Sequence, residues 1–279
     1  MESNKDMKPL KMLIENIILE KYNYLFEGID IDIENRTVSY NSSHENNIQT
    51  SRLLNPTYSE INGVKVISIF KRKETDFSDL DGNPLVYALK NMKGWKFKNP
   101  QFDILGLLKD FIRISEKIDY NYDCIITIPS NNELNKMFLH RLNKIIKSPI
   151  QITNYLHKLD ASDVYEDYFD WKKMSVDYGD KYPKAKQKVI EDFNRMIEQN
   201  EGYFSYKFLR GKNIRSYVTK SMYALPELTI EYAKYINGKN ILILDDTISG
   251  GNSISGACKE IMEIFEPKSI TVITLFSAL

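Results

Sequence analysis

Apolar positions recur along this chain with two different spacings. Over residues 9–20, PLKMLIENIILE, Leu10, Met12, Leu13, Ile17 and Ile18 stand at helical spacing and predict a short helix. Residues 36–70 are polar and Asn/Ser-rich, with strand-like pieces at RTVSYN and VKVISIF. NPLVYALKNM opens at Asn83-Pro84 and predicts a helix with proline in its first turn. FDILGLLKDFIRISEKI (102–118) predicts an amphipathic helix. DCIITIPS (123–130) is a short apolar run stopped by Pro-Ser and reads as a buried strand. NNELNKMFLHRLNKII then reads as a helix, with Asn131 or Asn132 as N-cap.

Residues 160–201 change character. DASDVYEDYFDWKKMSVDYGDKYP is acidic and aromatic together, and KAKQKVIEDFNRMIEQN is helical with Val189, Ile190, Phe193, Met196 and Ile197 on one face. A basic stretch, YKFLRGKNIRSYVTK (206–220), follows. PELTIEYAKYI (226–236) predicts a helix stopped by Asn237-Gly238. ILIL predicts a strand, ISGACKEIMEIF a helix and SITVITLF the last strand. This alternation predicts an α/β fold: a mostly parallel sheet flanked by helices. An N-terminal α+β extension takes 1–78, and the core domain takes 79–279 with an insertion at about 160–201.

A length of 279 residues and an apolar fraction of 42% suit one large domain or a core with a smaller addition. Lys+Arg 38 against Asp+Glu 38 leaves no global pull toward nucleic acid or an anionic membrane. The two cysteines, Cys124 and Cys258, sit in apolar contexts and suit a reducing compartment. Three histidines, with no Cys pair and no HExxH, argue against a zinc site. MESNKDMKPL has no apolar signal core and no run reaches membrane-spanning length, so a soluble, cytoplasmic protein is expected.

The chemistry concentrates in ILILDDTISGGNS, Ile241 to Ser253. Ligands of open α/β sheets bind at the carboxyl ends of strands, where Asp245-Asp246 is expected. The loop TISGGNS leads into a helix, whose N-terminus favours an anion such as phosphate. Gly250 and Gly251 let backbone approach closely, and Ser249 and Ser253 offer hydroxyls. Two carboxylates beside an anion repel it unless they face hydroxyls or a divalent cation. Together the residues describe a cradle for a ribose 5-phosphate.

The stretch resembles the 5-phosphoribosyl-1-pyrophosphate (PRPP) motif of the type I phosphoribosyltransferases. The resemblance implies that Asp245 and Asp246 take the ribose hydroxyls, with Mg2+ held through ribose or water. It implies that Thr247, Ile248, Ser249, Gly250, Gly251, Asn252 and Ser253 wrap the 5-phosphate. Thr247 stands where the family usually has an aliphatic residue, Gly250 where threonine is common, and Ser249 where purine-salvage members carry an acid. The implied activity is phosphoribosyl transfer from PRPP to an acceptor, with release of pyrophosphate.

Other segments carry two readings each. DCIITIPS-NN resembles the family's pyrophosphate loop, with Ser130, Asn131 and Asn132 as donors, and reads equally as a capped helix behind a strand. YKFLRGKNIRSYVTK (Lys207, Arg210, Lys212, Arg215, Lys220) stands where the family has a mobile basic loop. Arg210 and Lys212 would then serve the chemistry; a solvated basic turn, or an RNA contact with interleaved Tyr206, Phe208 and Tyr217, are the other readings. Tyr165, Tyr168, Phe169, Trp171, Tyr178 and Tyr182 form a base-stacking hood or the packing of an inserted subdomain. The acceptor, a small molecule or a macromolecule, stays open, as do a homodimer and a partner protein. A non-catalytic PRPP or nucleotide sensor and a defence- or toxin-type enzyme acting on a nucleotide, RNA or protein are the alternatives.

Overall fold

The computed structural model describes residues 28–41, 48–49, 54–72, 83–130, 133–146, 149–248 and 250–277. The helix expected over 9–20 lies outside them. The chain divides into two compact units. The first takes the described residues within Met1–Tyr58, Ile67–Asp119 and Leu275–Leu279; the second takes Ser59–Val66 and those within Tyr120–Thr274.

In the first unit, β1 (Gly28–Asp32) and β2 (Thr37–Asn41) pair antiparallel. Asp32 shapes their turn, accepting the Asn35 backbone N–H at 3.0 Å and its side-chain N–H at 2.8 Å. These bonds hold the Asp32 carboxyl below its ordinary range. β3 (Ile48–Gln49) pairs antiparallel with the end of a long strand that follows β4 (Thr57–Ile61), namely β5 (Val64–Arg72); the hairpin between them, Ser59–Val66, counts with the second unit. The middle of β5, Val66–Phe70, is apolar but for Ser68 and is buried on both faces. α1 (Asn83–Leu89) leads to β6 (Lys96–Phe97), which pairs parallel with β2. α2 (Pro100–Ser115) packs across β2.

The α2–β2 packing is set by polar groups that an apolar pattern does not reveal. Asp103, 1% exposed, accepts the Tyr40 N–H at 2.8 Å on one oxygen and the Asn99 N–H at 2.8 Å on the other. The Tyr40 hydroxyl donates to buried Asp110. Gly106 lets the Tyr40 ring lie against the helix; a Cβ there would stand 2.4 Å from the ring. α1, β6 and α2 belong to the first unit, whereas the sequence pattern puts them beyond 78/79.

The second unit holds β7 (Cys124–Thr127), α3 (Leu134–Asn143), β8 (Ile150–Ile152) and β9 (Leu156–Lys158). α4 (Ala161–Asp167), α5 (Trp171–Tyr178) and α6 (Tyr182–Gln199) come next. Two 3-10 turns, Tyr206–Phe208 and Lys212–Tyr217, precede β10 (Met222–Ala224). α7 (Pro226–Ile236), β11 (Asn240–Ile248), α8 (Asn252–Ile264) and β12 (Ser269–Ser277) complete it, the last three residues of β12 counting with the first unit. Strand order here is β12-β11-β7-β8, with β11·β7 and β7·β8 parallel. β9 and β10 form a separate antiparallel pair.

The chain is therefore α/β, with mixed sheets rather than the mostly parallel sheet expected. Strand–helix alternation foretells parallel neighbours. It is silent about β1·β2 and β3·β5, which lie in the polar N-terminal third, and about the short β9·β10 pair.

Segment 159–217 builds a core of its own. Val164, Phe169, Met174, Phe193, Met196 and Phe204 are all buried there, with Tyr165, Tyr168, Trp171, Tyr178 and Tyr182 packed against them. Phe169 and Trp171 lie 4.4 Å apart, Tyr165 and Phe193 5.3 Å. These aromatic residues thus pack on one another and on the core of this segment. No described helix is long and apolar enough to cross a membrane.

Candidate functional site

β11 is longer than ILIL predicts. It continues through Asp245, Asp246 and Thr247 to Ile248, so the two acids lie in the strand and not at its end. Ile248, 2% exposed, resumes the buried apolar pattern past the acids. Local bonds hold the carboxylates: Asp245 Oδ1 accepts the Asp246 N–H at 2.9 Å, and Asp246 Oδ1 accepts the Thr247 hydroxyl at 2.7 Å.

The chain then turns into α8. Gly251 is the N-cap residue, at φ 72° and ψ 0°, a left-handed conformation that glycine adopts without strain. A Cβ on Gly251 would stand 2.7 Å from Ile61 Cδ1. The first turn of α8 carries no acidic residue and receives no side-chain cap. Its leading N–H groups and the positive end of the helix dipole thus suit an anion.

A cavity of ≈ 50 Å³ opens at this turn. Asp245, Thr247, Ile248, Gly250, Gly251, Asn252, Ser253 and Ile254 line it, together with Tyr206 and Arg215 from the basic segment. Most of the expected cradle is thereby brought together. Asp246 does not line the cavity, and Ser249 lies outside the described residues.

The basic segment distributes its charges differently from expectation. Arg210 faces helix α6: its Nε donates to Asp192 at 2.6 Å and its guanidinium reaches Glu191 at 3.1 Å. The Asp192 and Glu191 hydrogen bonds raise the Arg210 pKa. Arg210 is not at the cavity; the Lys212 side chain lies outside the described part of the chain. Arg215 takes the place at the cavity. It is half-buried, and its Nε donates to the Leu209 carbonyl at 3.4 Å. Among the described residues it has no carboxylate partner. Nothing in the spacing of the segment distinguishes Arg215 from Arg210; the difference comes from Asp192, buried to 1% on a distant helix. Tyr206 lines the same cavity, and burial pushes its phenol up.

Ser130 lines a second, larger cavity of ≈ 620 Å³ at the carboxyl ends of β7 and β8. Thr127, Asn135, Asn154, His157 and Tyr223 are among its walls. His157 and Tyr223 face each other across the β9·β10 pair, ring centroids 5.7 Å apart. Its floor is one rung from the acids, since Ile128 N–H donates to the Leu244 carbonyl at 3.0 Å. Asn131 and Asn132 lie outside the described residues. Lys136, on the wall, pairs with Glu133 at 2.8 Å in solvent.

No described cluster of three or more His, Cys, Asp or Glu side chains is arranged to hold a metal. Hard carboxylate oxygens beside a phosphate-sized cavity do fit Mg2+, which is commonly held by one or two carboxylates together with oxygens of its ligand. No family model and no curated protein matches this sequence.

Proposed function

We propose that the chain binds PRPP at the β11–α8 junction and transfers its phosphoribosyl group to an acceptor, releasing pyrophosphate. One observation carries this reading: the cavity that joins Asp245, Thr247 and the Gly250–Ile254 turn to Arg215. A helix N-terminus, a carboxylate-free arginine and a glycine turn suit the 5-phosphate. Asp245, at the same cavity, suits the ribose hydroxyls as acceptor. Asp246 holds Thr247 by its hydroxyl and so acts on the cradle from behind.

In the reaction the C1–oxygen bond to pyrophosphate breaks, the electron pair leaves with pyrophosphate, and the acceptor bonds to C1. The protein's part is positioning and charge complementarity. Arg215 and the α8 N–H groups anchor one end of the sugar. Asp245 fixes the ring by its hydroxyls and favours positive charge developing on it. The larger cavity at Thr127–Ser130 offers room for the leaving group and acceptor beside the acids. Asp245, with Asp246 behind it, would hold Mg2+ jointly with the substrate's oxygens; the ion supplies neutralisation of leaving-group charge.

Titration calorimetry with PRPP and magnesium tests the reading. Wild type is expected to bind in the micromolar range, about −8 kcal/mol. Asp245→Asn combined with Asp246→Asn should abolish the heat while leaving the thermal melt in place. A folded wild type that takes up no PRPP would end the proposal. Binding with no pyrophosphate release for any acceptor would move the protein to the sensor reading.

A further inference from the structure

The small cavity is not walled off from its surroundings. It adjoins a cleft of ≈ 330 Å³, and the two share Tyr206, Arg215, Asn252 and Ile254. Their sizes divide the work. A single water needs roughly 10–15 Å³ by this measure, so the smaller space suits a phosphate-sized group. The larger falls within the range of about 300–1,000 Å³ typical of small-molecule sites. The cleft lies among the β4–β5 hairpin, α8 and residues 215–221.

Charge along the cleft has one sign. Arg215, Lys220 and Lys259 line it, and among the described residues no acidic side chain does. Lys220 is already matched by Glu260 at 3.0 Å, and Lys259 by Glu263 at 3.6 Å. Among the described residues Arg215 lacks such a partner, and it lines both spaces. Beyond it the wall is mixed, with Ile61, Val64 and Met262 beside Asn62, Thr219 and Ser255. That combination suits an uncharged heterocycle or sugar with a few polar edges. Arg215 lines both spaces, so it can meet a second phosphate as well as the first.

We propose that the site also takes a ribose whose 5-phosphate is extended as a diphosphate ester, a diphosphate-linked nucleotide sugar that competes with PRPP. Its first phosphate occupies the α8 cradle, its second meets Arg215, and the remaining nucleoside lies in the 330 Å³ cleft. The proposal rests on the phosphate-cradle reading above and adds a ligand class to it.

Calorimetry with two probes, ribose 5-phosphate and adenosine diphosphate ribose, separates the two ideas. The extended probe should bind about tenfold tighter than ribose 5-phosphate and displace PRPP. Met262→Glu is a fitting variant because Met262 is 53% exposed and lines only the cleft, so folding is spared. It should weaken the extended probe severalfold and leave ribose 5-phosphate unchanged. Equal or weaker binding of the extended probe, with ribose 5-phosphate bound, would overturn the extension alone. Tighter binding that ignores Met262→Glu would also overturn it, by removing the cleft from the site. Failure of both probes would take the cradle reading down as well.

Discussion

At the scale of single residues, Gly251 carries the most consequence. Its left-handed backbone and the nearby Ile61 methyl both exclude a side chain. Gly251→Ala is expected to cost about 1–3 kcal/mol of stability through backbone strain. It should weaken ribose 5-phosphate more than its shift in melting temperature explains. A variant with wild-type affinity would remove the turn from the site. The two thiols make a second case. Burial pushes Cys124 and Cys258 from 9.0 up to about 12. Between those values the folded chain holds more protons than the unfolded one, so folding stability falls as pH rises above 9. Denaturant melts at pH 8 and pH 10 check this, and Cys124→Ala/Cys258→Ala should flatten the difference. A thiol reagent at neutral pH should label neither residue until the chain unfolds.

Among elements, the tie between α6 and the basic segment decides which arginine faces the small cavity. Asp192 is buried and accepts from the Arg210 N–H at 2.8 Å, Arg210 Nε at 2.6 Å and Arg195 at 2.9 Å. The guanidiniums are half in solvent, which discounts the Coulomb part. Asp192→Ala should still cost about 1–3 kcal/mol, chiefly from donors left unmatched. It should also speed proteolysis between 206 and 220 and weaken phosphate binding through Arg215. An unchanged cleavage pattern would argue against the tether.

Helices were legible here where apolar spacing decides them: PELTIEYAKYI coincides with α7, and ISGACKEIMEIF is most of α8. Strand β11 was read too short, because Asp-Asp looks like a stop. Only the folded structure shows their oxygens taken up by neighbouring backbone and hydroxyl groups. Arg210 looked as available as Arg215 because a buried aspartate eighteen positions earlier is invisible to local pattern.

For the molecule as a whole, the α/β class was readable from alternation, and the mixed pairing was not. β2 is fixed to α2 by polar groups, Asp103 on the Tyr40 backbone and Asp110 on its hydroxyl. These acids sit on an amphipathic helix where charge normally marks the solvent face. The glycine turn before α8 was legible because its glycines and hydroxyls are contiguous in the chain. The cavities were not, since their walls come from separate segments, in the cleft as far apart as Ile61 and Met262.

The adjacent acids of β11 have one more consequence. Asp245 borders the cavity while Asp246 secures Thr247, so the doubled letter is not a duplicated part. Neither acid is a spare for the other, and a lineage that loses one has no backup next door. Compensation for a lost Asp246 would have to arise at Thr247, and for a lost Asp245 among the residues that line the cavity.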